Sequence, residues 1–369
     1  MRIERVALRR IALPLVSPFR TSLGIEYERV ALLVQVTTPD GDGWGECVAG
    51  ADASYSSEYV EGAEDVLMRH LVPPLLAAGN VTAQTVAPLL AGVKGHRMAK
   101  AALEMAVLDA ELRGHGLSFA AGLGATATSV PSGVSVGIMD SVPELTDAVA
   151  GYLAQGYRRI KLKIEPGWDV APVRAVRERF GDELLLQVDA NAAYTRADVR
   201  HLARLDDFEL LLIEQPLDEE DLLGHAALAR GLRTPICLDE SVVSARSAAD
   251  AIALGACRIV NVKPGRVGGY LEARRIHDVC AAAGVPVWCG GMLETGLGRA
   301  GNLALAALPN FTLPGDVSAS DRYYETDITE PFVLRDGNLT VPAGPGLGVA
   351  PIPDVLDAVT TSARELSRG

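Results

Sequence analysis

Lys163, Asp189, Glu214, Asp239 and Lys263 each stand at or near the end of an apolar run, at separations of 26, 25, 25 and 24 residues. A period of this length is one unit of strand, loop, helix and loop, so the five residues occupy the same structural place in successive units. The runs themselves read as strands: SGVSVGI (132–138), RIKLKI (159–164), ELLLQVDA (183–190), ELLLIEQP (209–216), TPICLDE (234–240), CRIVNVKP (257–264), VPVWCGG (285–291) and NFTLPGD (310–316). Between them lie amphipathic stretches such as PELTDAVAGYLAQG and YLEARRIHDVCAAAG, several ending in the glycine that commonly stops a helix. Alternating strands and helices predict βαβ units and a parallel sheet. Eight such units close into a (β/α)8 barrel, whose chemistry sits at the C-terminal ends of its strands. The acidic members of the series could instead cap the following helices. Capping accounts for one of them more readily than for five ionisable residues in phase.

The second strand carries two lysines one residue apart. In RIKLKI, Ile160, Leu162 and Ile164 share one face and Lys161 and Lys163 the other. On an edge strand, paired lysines are an ordinary protection against aggregation. Within the periodic series they become two ammonium groups at the mouth of a barrel.

Composition narrows the function. The 369 residues suffice for a large core and two domains, and the 49% hydrophobic residues are interrupted by charges, so no membrane span is predicted. The N-terminus, MRIERVALRRIALPL, lacks the continuous apolar core of a signal peptide, and a cytoplasmic location is expected. A formal net charge of -13 argues against nucleic acid and anionic membranes as partners. Five cysteines, at 47, 237, 257, 280 and 289, form no CxxC pair and are expected to be buried thiols.

Asp189, Glu214 and Asp239 from three adjacent strands would repel one another unless a cation lay between them. Oxygen ligands of this kind suit Mg²⁺, with Mn²⁺ or Co²⁺ as substitutes. Lys163 and Lys263, four strands apart in an eight-stranded barrel, would face a metal-held substrate from opposite sides. This arrangement suits abstraction of a proton α to a carboxylate, where the charge of the resulting enediolate must be stabilised as it develops. Lys161, beside Lys163 on the same face, is expected to make protonation of Lys163 more costly and so to favour its role as a base.

The motifs KLK (161–163), DANAAY (189–194), IEQPL (213–217), DES (239–241) and NVKPGRVGG (261–269) resemble the enolase superfamily, for which a Lys or His base and an enediolate are established. More narrowly they resemble its muconate-lactonizing subgroup, and within it the o-succinylbenzoate synthases and N-acylamino acid racemases. The resemblance extends to VPVWCGGMLETGLGRA (285–300) and GDVSASD (315–321). It implies a modified, TIM-like barrel (126–324) covered by an α+β capping domain (1–125) that the C-terminal tail (325–369) completes. It also implies a homo-oligomer, a small carboxylate substrate, and either racemisation of N-acylamino acids or dehydration to o-succinylbenzoate in menaquinone biosynthesis. Two cap segments, 17–25 and 47–58, are the expected specificity loops, rich in the residues of mobile segments. Asn191 is expected to orient a metal-bound group, while Ser135, Phe19 and Met292 are candidates for the substrate pocket, with ordinary packing as the alternative for Phe19 and Met292. Arg20 reads as a solvated residue.

Departures from related patterns are informative. None of the six histidines falls in VPVWCGG, where the mandelate racemase branch places its second base, so Lys263 takes that role. Dipeptide epimerases carry a DxD pair after the eighth strand; here Asp321 is followed at the second position by Tyr323, which disfavours a free-amine substrate. Dipeptide epimerase and muconate-type cycloisomerase remain alternatives within the superfamily. A Schiff-base lyase, with lysine as carbonyl nucleophile, and a non-catalytic binding protein are the alternatives outside it.

Overall fold

Alternating burial along the N-terminal segment builds the first layer of the molecule. The structure, a computed structural model, describes residues 1–369. Strands β1 (Arg5–Thr21), β2 (Gly24–Thr38) and β3 (Gly41–Cys47) form an antiparallel sheet. Val6 and Leu8 of β1 are buried on one face of the sheet and Ile11 and Leu13 on the other, each pair in a different hydrophobic cluster, so the sheet is covered on one face at its start and on the other further along. The cover includes the helix Arg97–Gly114, which is buried at most positions and lies between this sheet and the rest of the molecule. Contact is close enough to require glycine: a Cβ on Gly43 or Gly45 would lie 2.1 or 2.0 Å from the carbonyl oxygen of Ala106 or Ala102.

The expected strand and helix alternation follows. A short strand, β4 (Ser129–Pro131), leads into seven parallel strands: β5 (Gly133–Val136), β6 (Arg159–Lys163), β7 (Leu185–Asp189), β8 (Ile213–Glu214), β9 (Ile236–Leu238), β10 (Ile259–Val262) and β11 (Val287–Cys289). They hydrogen-bond in chain order. NFTLPGD does not form the eighth regular strand that its sequence suggests. It bridges the two ends of the sheet at single points, Phe311 to Val287 and Gly315 to Ser132. Pro314 cannot donate to a ladder, and its carbonyl accepts instead from the Arg159 guanidinium at 2.9 and 3.1 Å. The barrel is thus modified at its eighth strand.

Strand β6 lies between β5 and β7, which removes the edge-strand reading of its two lysines. The helices have caps of their own: the side chains of Asp169, Thr195, Asp221 and Ser244 accept from first-turn amides of the helices that follow β6, β7, β8 and β9. The strand-end carboxylates are therefore free of that task. After the barrel, β12 (Asn338–Thr340) pairs with β4, and β13 (Thr360–Ser367) pairs antiparallel with β1. All five cysteines are buried and free, and no helix is long and apolar enough to cross a membrane.

Candidate active site

Parallel register sets the polar strand ends side by side. Lys163 pairs with Asp189, and Asp189 with Glu214. Beneath this level the barrel interior is polar as well. Arg159 and Lys161 lie over the fully buried ring of Trp288, at 5.2 and 4.9 Å from its centre.

Each lysine is answered by carboxylates. Lys163 Nζ donates to Asp189 Oδ2 at 2.7 Å and to Asn191 Oδ1 at 2.6 Å. Lys161 Nζ lies 2.6 Å from Asp316, 3.1 Å from Glu214 and 3.1 Å from Asp189. Burial alone would favour the neutral Lys161 amine, but Asp316, Glu214 and Asp189 together raise its pKa. Lys161 is therefore a fixed cation whose charge is compensated by three carboxylates. Across the mouth, Lys263 Nζ donates to Asp239 Oδ2 at 2.7 Å and to Tyr55 Oη at 3.0 Å. Its pKa is raised too: burial works against the charge, and Tyr55, Glu240 and Glu214 outweigh it. A Cβ on Gly290 would sit 2.7 Å from Lys263 Cε, so the seventh strand ends in a glycine that leaves this amine its space.

The carboxylates respond in turn. Burial would raise the pKa of Asp189, but Lys163 and Lys161 hold it well below the usual range. Glu214 is pushed upward by burial and by Asp189; its Oε1 accepts from Asn261 Nδ2 at 2.7 Å. Asp239 also contacts the Arg266 guanidinium.

A divalent cation fits the chemistry of this donor set, which consists of hard oxygens on three adjacent strands. Glu240 Oε2 and Asn261 Oδ1, both buried beside them, have no hydrogen-bond partner. The carboxylates are turned towards ammonium and guanidinium groups, and no three acidic or other metal-binding side chains close around a common centre here.

A cavity of about 530 Å³ opens above the strand ends. Lys163, Asn191 and Lys263 line its floor, Phe19 and Met292 its sides. Asn191 bridges the lysine to Glu240, to which its Nδ2 donates at 2.9 Å. Phe19 packs edge-on against Tyr323, with ring centres 6.3 Å apart, and Tyr323 stands behind this wall. Ser135, on β5, is buried with its hydroxyl unpartnered. Arg20 makes two longer ion pairs, 3.5 Å each, with Asp140 and Glu165.

The 17–25 segment is more ordered than its composition suggests. It is the end of the β1–β2 hairpin, with Phe19 opposite Glu26 and Thr21 opposite Gly24. It docks on the barrel through Ser22 Oγ to the Ala190 carbonyl at 3.2 Å and the Ile138 amide to the Arg20 carbonyl at 2.9 Å. The 47–58 segment is irregular and delivers Tyr55 to Lys263.

Sequence reasoning passed over Asp316, Tyr55, Arg266, Glu240 and Arg29. Asp316 alone had a periodic signal, since it falls about two periods beyond Lys263.

Comparison with known proteins agrees with this architecture. A family model described as "Mandelate racemase / muconate lactonizing enzyme, N-terminal domain" matches residues 4–124, and one described as "Enolase C-terminal domain-like" matches residues 144–355. The chain is 71% identical to an N-succinylamino acid racemase from Amycolatopsis sp, over 98% of both chains. It is 48% identical to an o-succinylbenzoate synthase from Geobacillus kaustophilus, over 94% of this chain and 92% of that one. The solved structure of an enolase superfamily member from Listeria innocua superposes with a TM-score of 0.96 at 39% identity, covering 100% of both chains. With both family models matched in chain order and the whole fold shared with a solved member, this chain belongs to the enolase superfamily, in its mandelate racemase / muconate lactonizing enzyme branch.

Proposed function

We propose that the chain is a divalent-metal-dependent enzyme that removes the proton α to a carboxylate, racemising N-succinylamino acids and related N-acylamino acids and dehydrating the precursor of o-succinylbenzoate. The observation that carries this reading is the placement of Lys163 and Lys263 in one cavity, on barrel strands separated by three others, with Asp189, Glu214 and Asp239 on the strands between. The names of the two relatives support the substrate class.

Asp189, Glu214 and Asp239 would hold the metal, which when bound supplies positive charge and polarises a substrate carboxylate. Lys163 takes the α-proton from one face of the substrate, and Lys263 returns a proton from the other. Reversing the roles converts the opposite enantiomer. In dehydration, Lys163 is the base and Lys263 a cation that stabilises developing charge. Lys161 keeps its charge throughout, and Asn191 fixes Lys163. The cap, residues 1–125 with the tail 325–369, closes over the barrel of residues 126–324 and supplies the pocket walls. The enzyme works as a homo-oligomer in the cytoplasm. A lyase of the Schiff-base kind needs one lysine and gives no role to the second amine across the mouth.

The test is turnover by chelated and metal-loaded enzyme of an N-succinylamino acid, followed by polarimetry, and of the o-succinylbenzoate precursor, followed by absorbance. Activity only with Mg²⁺, Mn²⁺ or Co²⁺ is expected. Full activity after chelation, or turnover of neither substrate with metal, overturns the reading.

A further inference from the structure

We infer that Arg29 is a specificity-determining residue that receives the distal carboxylate of the succinyl arm. The inference rests on the proposed function and deepens it. Arg29 lies on β2 and lines the cavity, yet only 2% of its surface is exposed. Its Nε and Nη2 are buried without any hydrogen-bond partner. A guanidinium presents a rigid fork of donors suited to bidentate binding of a carboxylate, and leaving such donors buried and unpaired is costly.

The surroundings do not satisfy it. Glu46, buried behind Arg29, is close enough to feel its charge but is engaged by Thr295 and Gly298. Glu26 and Glu28 also line the cavity but are exposed. They occupy alternate strand positions that face away from Arg29.

Three basic residues line the cavity: Lys163, Lys263 and Arg29. The two lysines flank the place where the α-carbon reacts, so Arg29 is the cation left for a second anionic group. Between them the walls include Phe19, Leu23, Ile25 and Leu293, which suit the two methylenes of a succinyl arm. Both proposed substrates carry this arm, although their reacting centres differ. One arm-recognising residue therefore explains how a single site accepts both.

The test compares two substrates that differ only in the charge of the arm: the N-succinyl derivative of one amino acid and its N-succinamoyl counterpart, in which an amide replaces the distal carboxylate. Metal-loaded wild type is expected to prefer the succinyl form by at least about tenfold in kcat/KM, as a charge-assisted contact to a carboxylate provides. Arg29→Met is expected to lower kcat/KM for the succinyl substrate about 30-fold, mainly through KM, and for the succinamoyl substrate at most about threefold. Arg29→Lys should retain part of the preference. Equal losses on both substrates would identify a purely structural residue and overturn the inference, as would a wild type that turns over both arms without preference; either result leaves the proposed function standing. Because the wild-type comparison needs no variant, a folding defect in Arg29→Met does not decide the matter. Turnover of neither substrate by metal-loaded wild type overturns the functional reading and this inference with it.

Discussion

Two pairs of equally buried carboxylates in this molecule, Asp189 with Asp316 and Glu46 with Glu104, are shifted in opposite directions. At the barrel mouth, Asp189 and Asp316 are held well below the usual carboxylate range. Burial opposes their ionisation, but Lys163 and Lys161 outweigh it for Asp189, and Arg159 and Lys161 for Asp316. At the seam between cap and barrel, burial pushes Glu46 and Glu104 up to about 7. Glu46 accepts from the Thr295 amide and hydroxyl and the Gly298 amide, and Glu104 from the Leu271 amide. These are the first turns of two barrel helices. Partial charges at a helix start compensate burial less than full cations do. The seam groups thus serve as docking contacts, while at the mouth charge is concentrated against counter-charge. Changing a mouth residue should leave an uncompensated ion, and changing a seam residue should leave an unmet hydrogen bond.

The sharpest way to break this contrast is to remove one amine at a time. Lys163→Ala and Lys263→Ala should each lower racemisation by about 10²–10⁴-fold, the range expected for loss of a general base. In D₂O each variant should retain exchange of the α-proton from only one enantiomer, and the two variants should retain opposite ones. NMR of the recovered substrate reads this directly. Exchange of both enantiomers by either single variant would replace the opposed-lysine mechanism with one base, or a water, serving both faces.

Glu214→Gln should weaken metal binding and lower kcat by about 10²–10³-fold, because a ligand charge is lost where the enediolate develops. A metal titration of activity distinguishes the two effects, and a mild change in both would remove Glu214 from the ligand set. Tyr55→Phe sharpens the comparison further. It deletes the hydroxyl 3.0 Å from Lys263 and should slow, by about threefold to tenfold, exchange of the enantiomer that faces Lys263, as expected for one hydrogen bond. Exchange of the other enantiomer should change little.

Much of the mouth was legible because it repeats. Lys163, Asp189, Glu214, Asp239 and Lys263 lie at strand ends that the period places in register, and the parallel sheet follows from the same alternation. What was not legible depends on distant segments meeting. Tyr55 reaches Lys263 across 208 residues. The helix Pro264–Val267 turns Arg266 back on Asp239, a short-range fold that no residue type announces. Arg29 left a faint signal: it shares a strand face with Ala31 and Leu33, both fully buried, and a charge on such a face calls for a partner. NFTLPGD has strand-like residues but places Pro314 and Gly315 where a ladder would need donors and stiffness, so no regular eighth strand forms. The 17–25 segment has the composition of a mobile loop, whereas pairing with β2 orders it.

The smallest expected effect lies at the seam and concerns stability. The Glu46 carboxyl titrates near 7 in the folded protein, against an ordinary value of 4.5. Below the ordinary value both folded and unfolded chains hold the proton. As pH rises from there towards 7, the unfolded chain ionises first while the folded chain remains protonated, so stability is lost across this window and levels off above it. Glu46→Gln carries no ionisable group and should lack this component. Relative to wild type, the variant should therefore gain on the order of 1–3 kcal/mol between about pH 5 and about pH 8, superimposed on a constant loss because the glutamine NH₂ cannot accept from the Thr295 amide as Glu46 Oε1 does. Denaturant unfolding at the two pH values measures the difference, with unrelated titrations cancelling between the proteins. A stability difference independent of pH would show that Glu46 is ionised in the folded seam, and the contrast between seam and mouth would then rest on geometry alone.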